Sequence, residues 1–267
     1  MTKKLKRRSF IVSLLGITGL GIIWSKKSNL FKLFVPNLEA KELNLSDALP
    51  LTSQECILTP RQIEGPYYLN TPVRSASNID IRSNKQGQHL RLKIQINNIT
   101  NCTPINNALV EIWHCDAYGE YSGFPNKFPH DISKTIQLVT TKNIENGTTN
   151  DKMFLRGAQL TPMNGIVEFD TIIPGWYDPR APHIHLRVQI NEQEYITTQL
   201  YFNEQYTNNL YSKMAPYNLV NSIPYHHHND MILKYQGAQG MLLNPTPIAN
   251  QEGVEASVKI SVAAPLS

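Results

Sequence analysis

The chain is 267 residues long and carries 25 Lys and Arg against 21 Asp and Glu, a formal net charge of +4. Eight basic residues and no acidic one fall within residues 1–32, so the remainder holds 17 basic against 21 acidic, a net of −4. The basic excess therefore belongs to the leader and argues against a nucleic-acid partner, while the length suits one substantial domain, since all-β domains routinely exceed two hundred residues.

Residues 1–25 read as an export signal or anchor. A basic start, MTKKLKRR, precedes an uncharged apolar run of about fifteen residues, rather short for a spanning helix. Arg7 and Arg8 followed by Ser9, Phe10 and Ile11 resemble a twin-arginine signal, so the expected location is periplasmic, extracellular or tethered to a membrane. An ordinary secretory signal or an uncleaved anchor would use the same residues. Residues 26–52 mix Lys, Ser, Asn, Pro and Glu with little periodicity and read as a linker. The folded domain is expected over 53–267, starting near Cys56. Cys56, Cys102 and Cys115 are too few for a disulfide framework and odd in number, so at most one bridge forms, and the sequence does not specify the pair.

Gly65-Pro66 marks a turn, with Tyr67, Tyr68 and Leu69 after it. Leu90, Leu92, Ile94 and Ile96 then alternate with polar residues, the period of a strand. A second strand, ALVEIWH at 108–114, follows a turn-rich stretch, and the two are expected to pair antiparallel. Gly119 and Gly123 make 114–124 a loop bearing Tyr118 and Tyr121. FLRGAQLTP at 154–162 and GIVEFDTII at 165–173 predict a hairpin turning at Asn164-Gly165. Residues 183–190 and 195–202 predict another, with a turn near Asn191 to Glu194. Keeping both apolar sets on one face requires an even register sum, which places Gln199 opposite His185. Residues 203–231, including His226, His227 and His228, read as loop. Strands near 241–244 and 256–263 close the chain. The fold class is all-β, an antiparallel β-sandwich of prealbumin-like type with long loops carrying the site.

The chemistry concentrates between Ile173 and Phe202. Ile184, Leu186, Val188 and Ile190 alternate with His183, His185, Arg187 and Gln189, so both imidazoles share the face opposite the aliphatic residues. Pro174, Gly175, Pro179 and Pro182 stiffen the approach and fix where Tyr177 and Arg180 point. Two neutral imidazoles two residues apart on a strand can hold one metal ion. Adding Tyr121 and Tyr177 gives two phenolates and two imidazoles, a donor set that favours Fe(III) over zinc. A phenol loses its proton only near pH ~10, so tyrosinate at neutral pH needs a strong Lewis acid. Tyr118 competes with Tyr121 for this role, but only Tyr121 has the Gly-x-Tyr placement. His114 is expected to hydrogen-bond near the site without ligating, and Arg180 taken alone could pair with Asp178 or Asp116.

The segments EGPYY at 64–68, VEIWHCDAYGEYSGF at 110–124, FLRGAQLT at 154–161, IIPGWYDPRAPHIH at 172–185 and TQLYF at 198–202 together resemble the intradiol ring-cleavage dioxygenases. The resemblance runs from about Cys56 to Val262 and is closest to the exported single-domain branch. It implies non-haem Fe(III) held by Tyr121, Tyr177, His183 and His185, and a catechol-type substrate cleaved with O2 between its hydroxylated carbons to a muconate-type diacid. It also implies Arg180 as the group stabilising substrate charge, Tyr177 as proton acceptor and Gln199 beside them. Tyr67, Leu69 and Trp176 are the expected pocket walls. Arg180-Ala181-Pro182-His183 departs from the family's commoner Arg-Pro-Ala-His but keeps the Arg to His spacing. A sandwich that binds without catalysing is the alternative, as is a cupin-like enzyme using divalent metal. Colour separates them, because tyrosinate bound to ferric iron absorbs visible light.

Overall fold

The structure is a computed structural model that describes residues 56–69, 79–124, 153–220, 224–237 and 241–264. The leader and all of the linker (26–52) lie outside these.

Two sheets face each other across one apolar core. Among the described residues, strands β1 (His89–Asn98), β4 (Ile166–Ile172), β8 (Thr246–Pro247) and β9 (Val254–Val262) form one sheet in the order β4-β1-β9-β8. The other holds β2 (Leu109–Trp113), β3 (Arg156–Leu160), β5 (His183–Ile190), β6 (Gln193–Phe202) and β7 (Leu242–Leu243) in the order β3-β2-β5-β6-β7. Alternation explains the layering. Leu90, Leu92, Ile94 and Ile96 of β1 are fully buried, and they meet Val110, Ile112, Ile184, Leu186 and Val188 from the facing sheet. Two half-apolar sheets stacked in this way remove both sets from water at once.

Pairing differs from the sequence expectation in two places. β1 and β2 do not pair. β1 lies between β4 and β9, and β2 lies between β3 and β5 in the other sheet. The link between them folds back on β1, with Asn98 N donating to Thr103 O at 2.9 Å and Ile105 N to Ile96 O at 2.9 Å, and then crosses over. β3 and β4 likewise do not form a hairpin, because the turn at Pro162 to Gly165 carries the chain from one layer to the other. Gly165, at φ +69°, is pressed against the Ile96 carbonyl and Pro104, where a side chain would not fit. An alternating pattern shows which face is buried but not which neighbour the strand takes, and both crossings exploit that freedom. Two pairs, β1 with β9 and β6 with β7, run parallel within the otherwise antiparallel sheets.

The β5–β6 hairpin follows the expected register, with His185 opposite Gln199 and His183 opposite Tyr201. Its turn is the two residues Asn191 and Glu192, both at positive φ, the geometry that matches strand twist. Residues 203–231, expected as loop, contain helix α1 (Glu204–Lys213) and short 3-10 turns at Tyr217–Leu219 and His227–Asn229, and helix α2 (Met231–Gln236) begins at their end. Asn203 caps α1 by accepting from Gln205 N and Tyr206 N, and Asp230 caps α2 by accepting from Ile232 N and Leu233 N. Cys56 and Cys102 form the disulfide, while Cys115 is buried with Sγ 3.5 Å from the Gly175 carbonyl.

The outer face of β5 is covered. Residues 56–69 run across it as a strap, through Gln62 N to Thr197 O at 2.9 Å and Gln199 Nε2 to Ile63 O at 2.9 Å. At its far end the Arg187 guanidinium lies 3.9 Å over the Tyr68 ring and pairs with Glu64. As a result His183 and His185 are as buried as the aliphatic residues between them.

Candidate metal centre

Two loops deliver the tyrosines. After β2, Asp116 folds the 114–124 loop on itself, its Oδ1 accepting from Tyr118 N and Glu120 N at 3.0 Å each and its Oδ2 pairing with Lys85 at 2.8 Å. This turn leaves Tyr118 exposed on the outside and aims Tyr121 inward, where it is 2% exposed. Arg156 secures the exit, donating to Ser122 Oγ at 2.7 Å and Ser122 O at 3.0 Å. The second loop, 174–182, packs on the first through Gly119 and Gly175, each of which meets the other loop's backbone. Gly175 N donates to Asp116 O at 3.0 Å. Only glycine permits backbones this close, and the approach brings Tyr177 beside Tyr121.

The four expected donors meet at one point. Tyr121 Oη lies 3.4 Å from His183 Nε2 and 3.1 Å from His185 Nε2. Tyr177 Oη lies 3.3 Å from His183 Nε2, and the two Nε2 atoms are 3.1 Å apart. Atoms bound ~2.1 Å from one ion stand roughly 3.0 Å apart at right angles and roughly 3.4 Å apart at tetrahedral angles, so the spacing fits a shared metal ion. The tautomers fit as well. His183 Nδ1 is 2.6 Å from the Ala181 carbonyl, which can only accept, so Nδ1 carries the hydrogen and Nε2 presents its lone pair. His185 is held by stacking on Trp113, with ring centroids 4.9 Å apart, and its buried Nδ1 finds no hydrogen-bond partner among the described residues. Among those residues no three His, Cys, Asp or Glu side chains converge, so any ion held here depends on the phenols.

Burial shifts both donor types toward neutrality. It raises Tyr177 to about 12, an effect that Arg180 partly offsets, and lifts Tyr121 well above its ordinary value, with Tyr177 adding to the rise. It also holds His183 well below the ordinary imidazole range, reinforced by the Arg180 charge and by His185. His185 is lowered in the same way, by burial and then by Arg180 and Arg156. The site thus presents two protonated phenols and two proton-free imidazole nitrogens. Tyr67 closes it, stacked on Tyr121 with ring centroids 4.2 Å apart and edge-on to Tyr177 at 5.7 Å.

Arg180 pairs with neither Asp178 nor Asp116. Its Nε donates to Asp230 Oδ2 at 3.0 Å, and its Nη2 donates to Gln199 Oε1 at 2.5 Å and Tyr201 Oη at 3.2 Å. Burial alone would lower Arg180, but the facing Asp230 carboxylate, with Tyr201 and Tyr177, keeps it above its ordinary value, so its charge is permanent. Leu69 is buried at the end of the strap. Trp176 is not at the site: it lies in the main core, 5.0 Å from the Tyr211 ring. His114 does not reach the donors either. It spans Cys115 O at 2.8 Å and Thr171 Oγ1 at 2.7 Å, and burial lowers it to about 4. Sequence reasoning missed Asp230, Tyr201, Asp116 and Trp113. Asp230 had a readable signal as an Asp directly before the apolar-rich MILKYQ, an N-cap pattern.

A family model described as Dioxygenase matches residues 63–236, well over half of the chain. A catechol 1,2-dioxygenase of a Pseudomonas species is 27% identical over 211 residues, which are 75% of this chain and 60% of that protein. A chlorocatechol 1,2-dioxygenase of Rhodococcus opacus is 24% identical over 54% of this chain and 56% of its own length. The chain thus spans little more than half the length of these relatives. The solved intradiol ring-cleavage dioxygenase of Tetranychus urticae superposes with a TM-score of 0.67 at 28% identity, covering 78% of this chain and 95% of that one.

Proposed function

The chain belongs to the intradiol ring-cleavage dioxygenase family, and from that premise we propose that it is a non-haem Fe(III) dioxygenase acting on a catechol-type substrate. The observation that carries the proposal is the convergence of Tyr121, Tyr177, His183 and His185, every measured pair of their donor atoms lying 3.1–3.4 Å apart. When bound, ferric iron supplies the Lewis acidity that ionises phenols at neutral pH and the electron-accepting capacity that opens the catechol ring to O2. The bond between the hydroxylated carbons breaks, and both oxygen atoms enter the diacid product.

The protein's own part is charge, proton and shape. Tyr177 Oη, kept protonated by burial until a metal ionises it, would be the group placed to take a catechol hydroxyl proton. Arg180 places a fixed positive charge within the same buried cluster, worth most where water is excluded and charge builds on the substrate. Gln199 holds the Arg180 Nη2 edge. Tyr67 walls the site on the strap side, and Trp113 backs His185. Trp176 has no part in this account. Export is supported by the twin-arginine-like leader and by the Cys56–Cys102 disulfide, which suits an oxidising compartment.

Oxygen uptake by the iron-loaded chain on catechol, protocatechuate and hydroxyquinol, with product mass, tests the proposal. The expected product is substrate plus both atoms of O2. An iron-loaded, folded chain that consumes no oxygen with any of them would favour a binding module.

A further inference from the structure

A buried arginine on a flexible side chain is useful only if something fixes its plane. Asp230 is fully buried, 45 or more residues away in sequence from every other group at the site except Tyr201 and Gln199, and its two oxygens are fully engaged. Oδ2 accepts from Arg180 Nε at 3.0 Å and from Ala181 N at 2.8 Å. Oδ1 accepts from Arg180 Nε at 3.2 Å, Ile232 N at 2.8 Å and Leu233 N at 3.2 Å. The carbonyl of the same residue, in the next peptide along, accepts from His183 Nδ1. One carboxylate therefore joins the guanidinium, the backbone of the residue whose carbonyl orients a donor imidazole, and the first turn of α2. With Nε held by Asp230 and Nη2 by Gln199 and Tyr201, the guanidinium plane is fixed, and Nη1 makes no hydrogen bond to the described residues.

We propose that Asp230 is a positioning residue that acts through Arg180: its carboxylate sets the plane of the guanidinium toward the bound catechol. The proposal rests on the ring-cleavage reading above. A helix cap alone does not account for Asp230, because Asn or Ser would cap α2 as well, whereas only a carboxylate gives Arg180 Nε a charged acceptor.

A double-mutant cycle on the iron-loaded full chain, with catechol as substrate, tests it. Asp230→Asn is expected to lower kcat by ~10- to 100-fold while KM stays within about 3-fold, the signature of a loss felt in the transition state. Added to Arg180→Gln it is expected to cause no further loss, and the visible absorbance is expected to stay that of the parent because the four donors remain. A wild-type kcat in D230N, or an equal loss in the R180Q background, overturns the proposal. A second readout needs no turnover. In 15N NMR of the metal-free full chain, the Arg180 Nε–H is expected to be protected from exchange, and to lose that protection in D230N. An exchange-broadened wild-type signal overturns the proposal even where the variant fails to fold. A wild-type chain inactive on every catechol sinks the ring-cleavage reading and this one together, whereas an active wild type with an unaffected D230N sinks this one alone.

Discussion

At the scale of single residues, burial does opposite things to the two kinds of donor. It keeps Tyr121 and Tyr177 protonated and His183 and His185 unprotonated. The imidazoles are therefore ready to bind a metal, while the phenols must first give up protons. A metal that binds all four has to supply the free energy of ionising two buried phenols. That requirement excludes a weak Lewis acid more firmly than spacing does. His183, His185 and Tyr177 were legible from sequence because they lie within nine residues on a stiffened approach. Tyr121 lies far away, and its advantage over Tyr118 rested on a glycine two residues before it. The structure shows the cause in Asp116, whose turn sends the two rings in opposite directions. Asp230 was not legible as a partner of Arg180, because no local pattern links residues on separate elements.

At the scale of elements, the strap from Cys56 to Leu69 does most to shape the site. Gly65 sits at φ +76° directly over His185, where an added Cβ would stand 3.2 Å from Cε1. Gly65→Ala is expected to strain the backbone by about 1 kcal/mol and to push the strap off the imidazole, weakening iron binding roughly 10-fold, as loss of a ligand's support does. Competition against a chelator measures this, and an affinity equal to the parent's would mean that the strap does not brace His185. Alternation made the β5–β6 register readable, down to His185 opposite Gln199. It could not reveal that the chain changes layers after β1 and after β3, because an inward-facing strand looks the same in either sheet. Helix α1 escaped notice because only Thr207, Leu210 and Tyr211 are buried in it, too few to set a helical period. Its Asn203 cap was the readable clue.

At the scale of the whole molecule, the buried imidazoles tie stability to pH. Burial, first of all, lowers His114 to about 4 and holds His183 and His185 well below the ordinary 6.5. Above about 6.5 these groups are neutral in both the folded and the unfolded chain, and they cost nothing. Below it the unfolded chain takes protons that the fold refuses, so stability falls with pH until the folded groups titrate as well. The metal-free protein is therefore expected to lose stability between about 6.5 and about 4, at up to ~1.4 kcal/mol per pH unit for each such histidine. Urea unfolding across that interval reads the slope, and a midpoint that does not move would mean the imidazoles are not held neutral.

The central claim is that two phenols and two imidazoles, from a loop after β2, a loop before β5 and β5 itself, share one trivalent iron. Titration of Fe(III) into the metal-free chain, following visible absorbance and proton release together, tests it most directly. The expected result is a charge-transfer band saturating at about one iron per chain, with protons released and with uptake tightening as pH rises, the band weakened in Tyr121→Phe. Tight binding that leaves the protein colourless, or a band indifferent to Tyr121→Phe, would contradict it.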